Sequence, residues 1–305
     1  MTKTFDLSHV CFQGRPAAGF RALARRGASR PFSPSRTTIL SDEPATGFVA
    51  WIIRRAGLNP SLYRAAPLLR RLPALLRMLK VRSAEDAQEL LQNRPDLLPK
   101  AINSLLIGVT EFFRDAAVFE GLRAEVLPAL AARGRPIRVW SAGCSTGEEL
   151  YSLAILLAEA GLLASAFLLG TDCRAEAIEQ ARWAVYNAGH LEAATVKKYF
   201  GPCGNSWQVI EPLRRQTHWK VADVGQSIEE GPWDIVLWRN MAIYVNPGPA
   251  ESIWNRLAGA VAPDGYLIVG KAERPPSGLG LAPACRCIYR RVDRIVASYQ
   301  DEECA

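Results

Sequence analysis

The chain has 305 residues, 49% of them hydrophobic, and a formal net charge of +7. That length holds one sizeable α/β domain and a smaller one, and no apolar run is long enough to span a bilayer, so membrane insertion is not expected. The N-terminus shows no apolar signal core, and the seven cysteines form no CxxC pair and have only three histidines for company; free thiols in a cytoplasmic protein are expected, and a zinc or other metal site is not.

Residues 1–45 are rich in Arg, Ser, Pro and Ala, with a net charge of +4 from seven basic and three acidic side chains. They read as a disordered tail with a short helix at 18–28. From Gly47 to Arg114 the pattern is helical. Val49, Ile52 and Ile53 start one apolar face, and Leu68, Leu72, Leu75, Leu76 and Leu79 make another at i, i+3, i+4 spacing. Pro67 and Pro73 mark a start or a kink. Ser83 with Asp86 predicts an N-cap, and Pro99 to Leu106 a further helix. Residues 54–82 carry eight basic groups and no acid. Such a face suits an acidic partner, whether nucleic acid or an acidic protein surface, or is simply a solvated helix surface.

The run Gly108-Val109-Thr110-Glu111-Phe112-Phe113-Arg114-Asp115 follows. Phe112 and Phe113 are expected in the core, with Arg114 at a junction ahead of a helix through Leu127. The stretch PIRVWSAGCSTGEELYS, residues 136–152, is the organising one. Ile137, Val139 and Trp140 make a buried strand, residues 141–147 a turn of small side chains, and Glu148 and Glu149 open a helix. Strand, glycine turn and helix form the first unit of a doubly wound sheet. The spacing Gly143, Ser145, Gly147 is not the dinucleotide fingerprint, and two acids at the helix start would repel a phosphate. A cation bearing amines and hydroxyls, such as S-adenosylmethionine, is better matched. Equally, the acids simply favour the helix dipole. The same residues fit the G-x-S-x-G elbow of α/β-hydrolases, but none of His9, His190 and His218 follows Asp234, and no strand is evident before Ile137.

Ala166 to Leu169 reads as the second strand. Asp172 stands where an acid often holds a ribose diol, or else serves as N-cap for a helix from Ala175 to Ala184. Residues 186–220 contain a helical piece, Glu192 to Phe200, a turn cluster at 201–205, and two alternating runs, Trp207 to Ile210 and Thr217 to Val221. These are expected to pair as antiparallel strands of a small inserted β-unit. Asp223 comes next. Asp234 to Leu237 is a strand ending at Trp238-Arg239-Asn240, Ile253 to Val261 a helix, Gly265 to Val269 a strand, and Cys285 to Arg290 the closing strand.

SAGCSTGEELYSLAI, TEFFRD, GTD with the AR…Y helix after it, and RNMAIY occur in that order. From about Gly47 to Arg291 the chain resembles the CheR-type chemotaxis receptor methyltransferases. The resemblance implies a class I S-adenosylmethionine-dependent methyltransferase (Rossmann-like) domain at 119–295, with a β-subdomain inserted at 186–222. A helical N-terminal domain at 46–118 precedes it, and tails lie at 1–45 and 296–305. It implies S-adenosyl-L-methionine as donor, a glutamate side chain of a methyl-accepting chemoreceptor or similar acidic helical protein as acceptor, and a monomer with no nucleic-acid partner. Carried over by position, Thr110, Arg114, Gly143, Glu148 or Glu149 (with Glu149 preferred), Asp172, Asp223, Val224, Arg239 and Asn240 are cofactor-contacting. Arg114 and Tyr244 are the catalytic-site pair.

A glutamate carboxylate, with a reference pKa of about 4.3, is already ionised at neutral pH and needs no general base. The enzyme must align oxygen, methyl carbon and sulfur and exclude water. Arg114 is expected beside the line of attack, Tyr244 at the acceptor, and Arg70, Arg71 and Arg77 in substrate docking. Four departures stand out: Gly108 replaces a usual Asn, Asp223 an Asn, Arg174 a common second acid, and Gly270-Lys271-Ala272-Glu273 a Gly-His-Ser-Glu-like run. They leave open a methyltransferase with another acceptor or a non-catalytic signalling module of the same fold.

Overall fold

The computed structural model describes residues 43–292, apart from 107 and 109. The expectations for 1–42 and for the 296–305 tail lie outside the described residues.

Five helices open the described chain: α1 (Glu43–Arg55), α2 (Ala65–Leu69), α3 (Leu72–Leu79), α4 (Ala84–Asn93) and α5 (Leu98–Leu105). The leucine stripe of residues 68–79 is broken at Arg70-Arg71, where α2 stops and Pro73 enters the first turn of α3. Ser83 caps α4, its Oγ accepting from the Asp86 N–H at 3.0 Å. Phe48, Ile52, Leu75, Leu91 and Leu105 form the core of this helical region.

Then α6 (Ala116–Gly121) passes through a π-turn at Leu122–Val126 into α7 (Leu127–Ala131). Phe112, Val118 and Phe119 pack with the sheet core rather than with α1–α5. The packing therefore changes hands before residue 112. Phe112 meets Tyr186 and Phe200 edge-on, with ring centroids 5.1 and 5.3 Å away.

The sheet elements follow in order: β1 (Ile137–Ala142), α8 (Glu148–Glu159), β2 (Ala166–Asp172), α9 (Ala175–Trp183), β3 (Val185–Tyr186), α10 (Ala193–Tyr199), β4 (Phe200–Cys203), β5 (Ser206–Val209), α11 (Glu211–Gln216), β6 (Thr217–Val221), β7 (Trp233–Trp238), α12 (Pro247–Ala260), β8 (Val261–Val269), β9 (Leu281–Cys285) and β10 (Ile288–Arg291). The main sheet runs β6-β2-β1-β7-β8-β10-β9. The pairings from β6 to β8 are parallel, while β10 is antiparallel to both β8 and β9. This is the class I methyltransferase sheet. Both faces of β7 are buried, as its run WDIVLW requires. Trp140, Trp233, Trp238 and Trp254 fill one side of it. Each large apolar side chain buried there contributes about 1.5–3 kcal/mol.

Two expectations are corrected. Thr217–Val221 is not in the inserted unit; it pairs in parallel with β2 as an edge strand of the main sheet. The inserted antiparallel sheet is β3-β5-β4, and it includes the predicted turn residues Gly201 to Cys203 as strand. The closing strand is a hairpin, β9 and β10, turning at Arg286-Cys287 with Cys287 at φ 62°.

Between β1 and β7 the strand order reverses, which opens a crevice at the strands' C-terminal ends. A short backbone pairing brings the helical region to that crevice. Tyr63 bridges Val245, Arg64 N–H donates to the Tyr244 carbonyl at 2.8 Å, and Asn246 N–H donates to the Leu62 carbonyl at 2.7 Å.

Candidate active site

The crevice holds a cavity of about 280 Å³. The turn after β1 supplies Gly143, Cys144 and Ser145, the end of β2 supplies Asp172 to Arg174, and the segment after β7 supplies Arg239, Asn240, Met241, Ile243 and Tyr244. Glu149 enters from α8, Thr110 and Arg114 from the strap between α5 and α6, and Tyr63, Leu68 and Arg71 from the helical region. Gly143 has φ 75°, a conformation that disfavours any side chain, and a Cβ there would come within 3.0 Å of Met241. The Met241 side chain packs against the backbone at this point.

Of the two acids at the start of α8, only Glu149 lines the cavity. Its Oε1 accepts from Ser141 Oγ at 2.8 Å and its Oε2 from Arg239 Nη1 at 2.9 Å. Glu148 does not reach the cavity. It accepts from Thr146 Oγ1 at 2.7 Å, and burial pushes its carboxyl above the usual range.

Arg239 is a strut. Its side chain is 1% exposed and ties Glu149 to Asp115, which its Nη2 meets at 2.9 Å. Lys271 joins Asp115 on the other oxygen at 2.5 Å. Burial pushes the Asp115 carboxyl up, but Lys271 and Arg239 outweigh it and hold the group below its ordinary value. A carboxyl depressed in the folded state stabilises above its unfolded pKa, about 3.9, and loses that contribution as pH falls through the folded value. Asp115→Asn is therefore expected to be less stable than wild type at pH 7. The gap should close as pH drops below about 4, a change that urea midpoints at pH 7, 5 and 3 would reveal.

Asp172 is buried, its side chain 5% exposed, and its carboxylate is filled from within the protein. Oδ1 accepts from Arg174 N–H and Nε, each at 3.0 Å; Oδ2 accepts from Ser145 N–H at 2.9 Å and Arg174 Nη2 at 3.2 Å.

Asp223 and Val224 do not line the cavity. Val224 is a core residue of the tryptophan-rich side of the sheet. Asp223 sits behind the cavity wall. Burial first, then the charge of Asp223, pushes the Tyr63 hydroxyl well above its ordinary pKa. Asp223 Oδ1 accepts from Gly225 N–H at 2.9 Å, whereas Oδ2 is buried with no hydrogen-bond partner among the described residues. Among the cavity-lining carboxylates, Glu149 suits a cationic adenosyl ligand, whereas the carboxylate of Asp172 is already filled.

Arg71, expected on a docking face, is turned inward. Its Nη2 donates to the Tyr244 hydroxyl at 2.8 Å, its Nη1 to the Leu105 carbonyl at 2.9 Å, and its guanidinium lies 4.9 Å from the Tyr244 ring centroid. Arg70 and Arg77 are exposed. Glu273 escaped the sequence reading as a site residue. Its Oε2 accepts from the N–H groups of Asn240 and Gly270, and its Oε1 from that of Ala242, each at 2.8 Å. It thereby fixes the turn that carries Asn240 to Tyr244. The only signal was its place in the GKAE run.

A family model described as CheR methyltransferase, SAM binding domain, matches residues 108–279. Chemotaxis protein methyltransferase 1 of Vibrio cholerae is 28% identical over 247 residues, covering 77% of this chain and 90% of that protein. Chemotaxis protein methyltransferase 2 of Pseudomonas aeruginosa is 30% identical over 234 residues, covering 73% and 83% respectively. The probable biofilm formation methyltransferase WspC of Pseudomonas aeruginosa is 29% identical over 229 residues, covering 72% of this chain and 54% of that protein.

Proposed function

This chain belongs to the CheR methyltransferase family, and we propose that it forms glutamyl methyl esters on a chemoreceptor-like protein. The observation that carries this reading is the composition of one cavity. Arg71, Arg114 and Tyr244 line it together with Glu149 and Asp172, and no histidine or lysine is among its described lining residues. The two carboxylates are each tied to an arginine, Glu149 to Arg239 and Asp172 to Arg174, and a lining whose bases are so engaged suits an acceptor that is already an anion.

When bound, S-adenosyl-L-methionine supplies a methyl carbon on a positively charged sulfur. Glu149, Thr110 and Asn240, all in the cavity lining, offer it polar contacts. Asp172 stands at the ribose position at the end of β2, with its carboxylate held by Ser145 and Arg174. Arg114 orients the incoming carboxylate from the side. A guanidinium bonded squarely to the attacking oxygen would blunt it, so the alignment relies on Tyr244 as well. No proton moves in the transfer, and the chain's tasks are aim and exclusion of water.

Arg71 holds Tyr244 in place from the helical region. Arg71→Ala is expected to lower kcat about tenfold or more, the factor that corresponds to about 1.4 kcal/mol of lost transition-state stabilisation. S-adenosylhomocysteine affinity should change little. Single-turnover methylation and calorimetry on the same preparation separate the two. Equal loss of both would mean that Arg71 serves the pocket as a whole.

The function itself is tested by incubating the protein with radiolabelled donor and receptor-containing membranes. Methyl groups released by mild base indicate a carboxyl ester. Label that is stable to base, or no label on any receptor, would overturn the proposed acceptor.

A further inference from the structure

Asp172 has no acceptor capacity to spare. A carboxylate offers about four lone-pair sites, and here Ser145 N–H, Arg174 N–H, Arg174 Nε and Arg174 Nη2 occupy four. Two of these donors are backbone groups fixed by the turn. The other two belong to one guanidinium, whose side chain is 9% exposed.

That guanidinium has a built seat. Arg174 Nη2 also donates to Ser145 Oγ at 3.0 Å, and Ser145 Oγ donates on to the Gly108 carbonyl at 2.9 Å. A Cβ at position 108 would come within 2.6 Å of both Arg174 Nη2 and Ser145 Oγ. Two positions that look like unrelated departures in the sequence, Gly108 and Arg174, thus meet in space. The missing side chain of one makes the room that the other fills.

We propose that Arg174 is an internal competitor for the cofactor. Its guanidinium fills the ribose-binding capacity of Asp172, and an adenosyl ligand gains that carboxylate only by displacing it. The proposal rests on the reading of Asp172 as the ribose acid. Asp172 is buried and negative, and a ribose diol brings two hydroxyl donors to replace the two side-chain bonds of Arg174. The exchange is close to even in hydrogen bonds but gives up a buried charge pair, so the wild-type chain binds its cofactor more weakly than its pocket would otherwise allow. By linkage, cofactor binding releases Arg174 to the same extent that Arg174 opposes binding.

The test is calorimetric titration of the full chain with S-adenosylhomocysteine in wild type, Arg174→Ser and Arg174→Lys, with folding checked by circular dichroism. Arg174→Ser is expected to tighten Kd at least tenfold. Arg174→Lys, which keeps the charge but loses the two-point grip on the carboxylate, should tighten it about threefold. If the serine variant does not fold, the lysine variant carries the test. A merely structural role for Arg174 predicts the opposite sign, since loosening the turn would weaken binding. A Kd unchanged within twofold, or a weaker one, in the folded variants overturns the proposal while leaving cofactor binding intact. Absence of binding in every folded form, wild type included, overturns the ribose reading of Asp172 and the proposal together.

Discussion

Arg239→Ala is expected to lower the free energy of unfolding by about 3–5 kcal/mol and to abolish calorimetrically measurable binding of S-adenosylhomocysteine. The magnitude follows from what the truncation leaves behind. Arg239 is enclosed, with its guanidinium 5.6 Å from the Phe119 ring centroid. It satisfies Glu149 and Asp115 at once and donates to the Arg114 carbonyl at 2.8 Å. Without it, two carboxylates face a void with one fewer positive charge between them. Asp115 keeps Lys271 and stays paired, but among the described residues Glu149 keeps only the hydroxyl of Ser141. The Glu149 carboxylate should then turn away from the cavity, removing an acid from its lining. Arg239→Lys retains the charge but cannot reach both acids in the same geometry, so it should recover part of the stability and little of the affinity. Urea unfolding of the three proteins decides the point. A loss under 1 kcal/mol in the alanine variant would mean that the ion network is energetically neutral and that Arg239 has no positioning role.

The parts of this molecule that were legible in the sequence are those whose signals are local. The change from a buried apolar run to small residues and then to helical spacing across 136–152 marks β1, its turn and α8 without any partner in view. The N-cap at Ser83 is equally local. Thr217–Val221 failed for a definite reason. Alternation identifies a strand, but an edge strand of the main sheet alternates just as a strand of a small hairpin does, and its pairing with β2 joins segments far apart in the chain. Arg71 failed similarly. In a run of eight basic residues it looked like its neighbours, and only the break between α2 and α3 turns it toward Tyr244. The contact of Arg174 with Gly108 joins positions far apart in the chain, so each was visible as an oddity and their relation was not. Tyr63 has no motif at all; it lies in the cavity because its backbone pairs with Val245.

Glu273→Ala is expected to cost about 3 kcal/mol of stability, on the basis of about 1–3 kcal/mol for each buried donor left unsatisfied and partial relief by entering water. The site should suffer more than the fold. Glu273 is 5% exposed and its carboxylate collects the N–H groups of Asn240, Ala242 and Gly270. Asn240 sits at φ 59°, a left-handed conformation that costs a non-glycine residue roughly 1 kcal/mol and needs support from its surroundings. The space is tight as well, since a Cβ at Gly270 would come within 2.8 Å of both the Asn240 nitrogen and Glu273 Oε2. Once the carboxylate is gone, Asn240 can relax to an ordinary conformation. The rest of the turn, through Tyr244, then loses its fixed relation to Arg71. Glu273→Gln separates charge from shape. Its amide keeps one acceptor oxygen but points an N–H₂ at backbone donors, so it should lose most of what alanine loses. Glu273→Asp is a further control, because a side chain one methylene shorter cannot span from Gly270 to Ala242 and should not rescue. Each variant is read by urea midpoint, by S-adenosylhomocysteine affinity and by single-turnover methyl transfer. The expected pattern is a rate loss exceeding what the drop in affinity explains, because Tyr244 moves while most of the adenosyl contacts stay. A variant that unfolds more easily yet transfers at the wild-type rate when saturated would show that the turn is only structural and that Tyr244 finds its place without it.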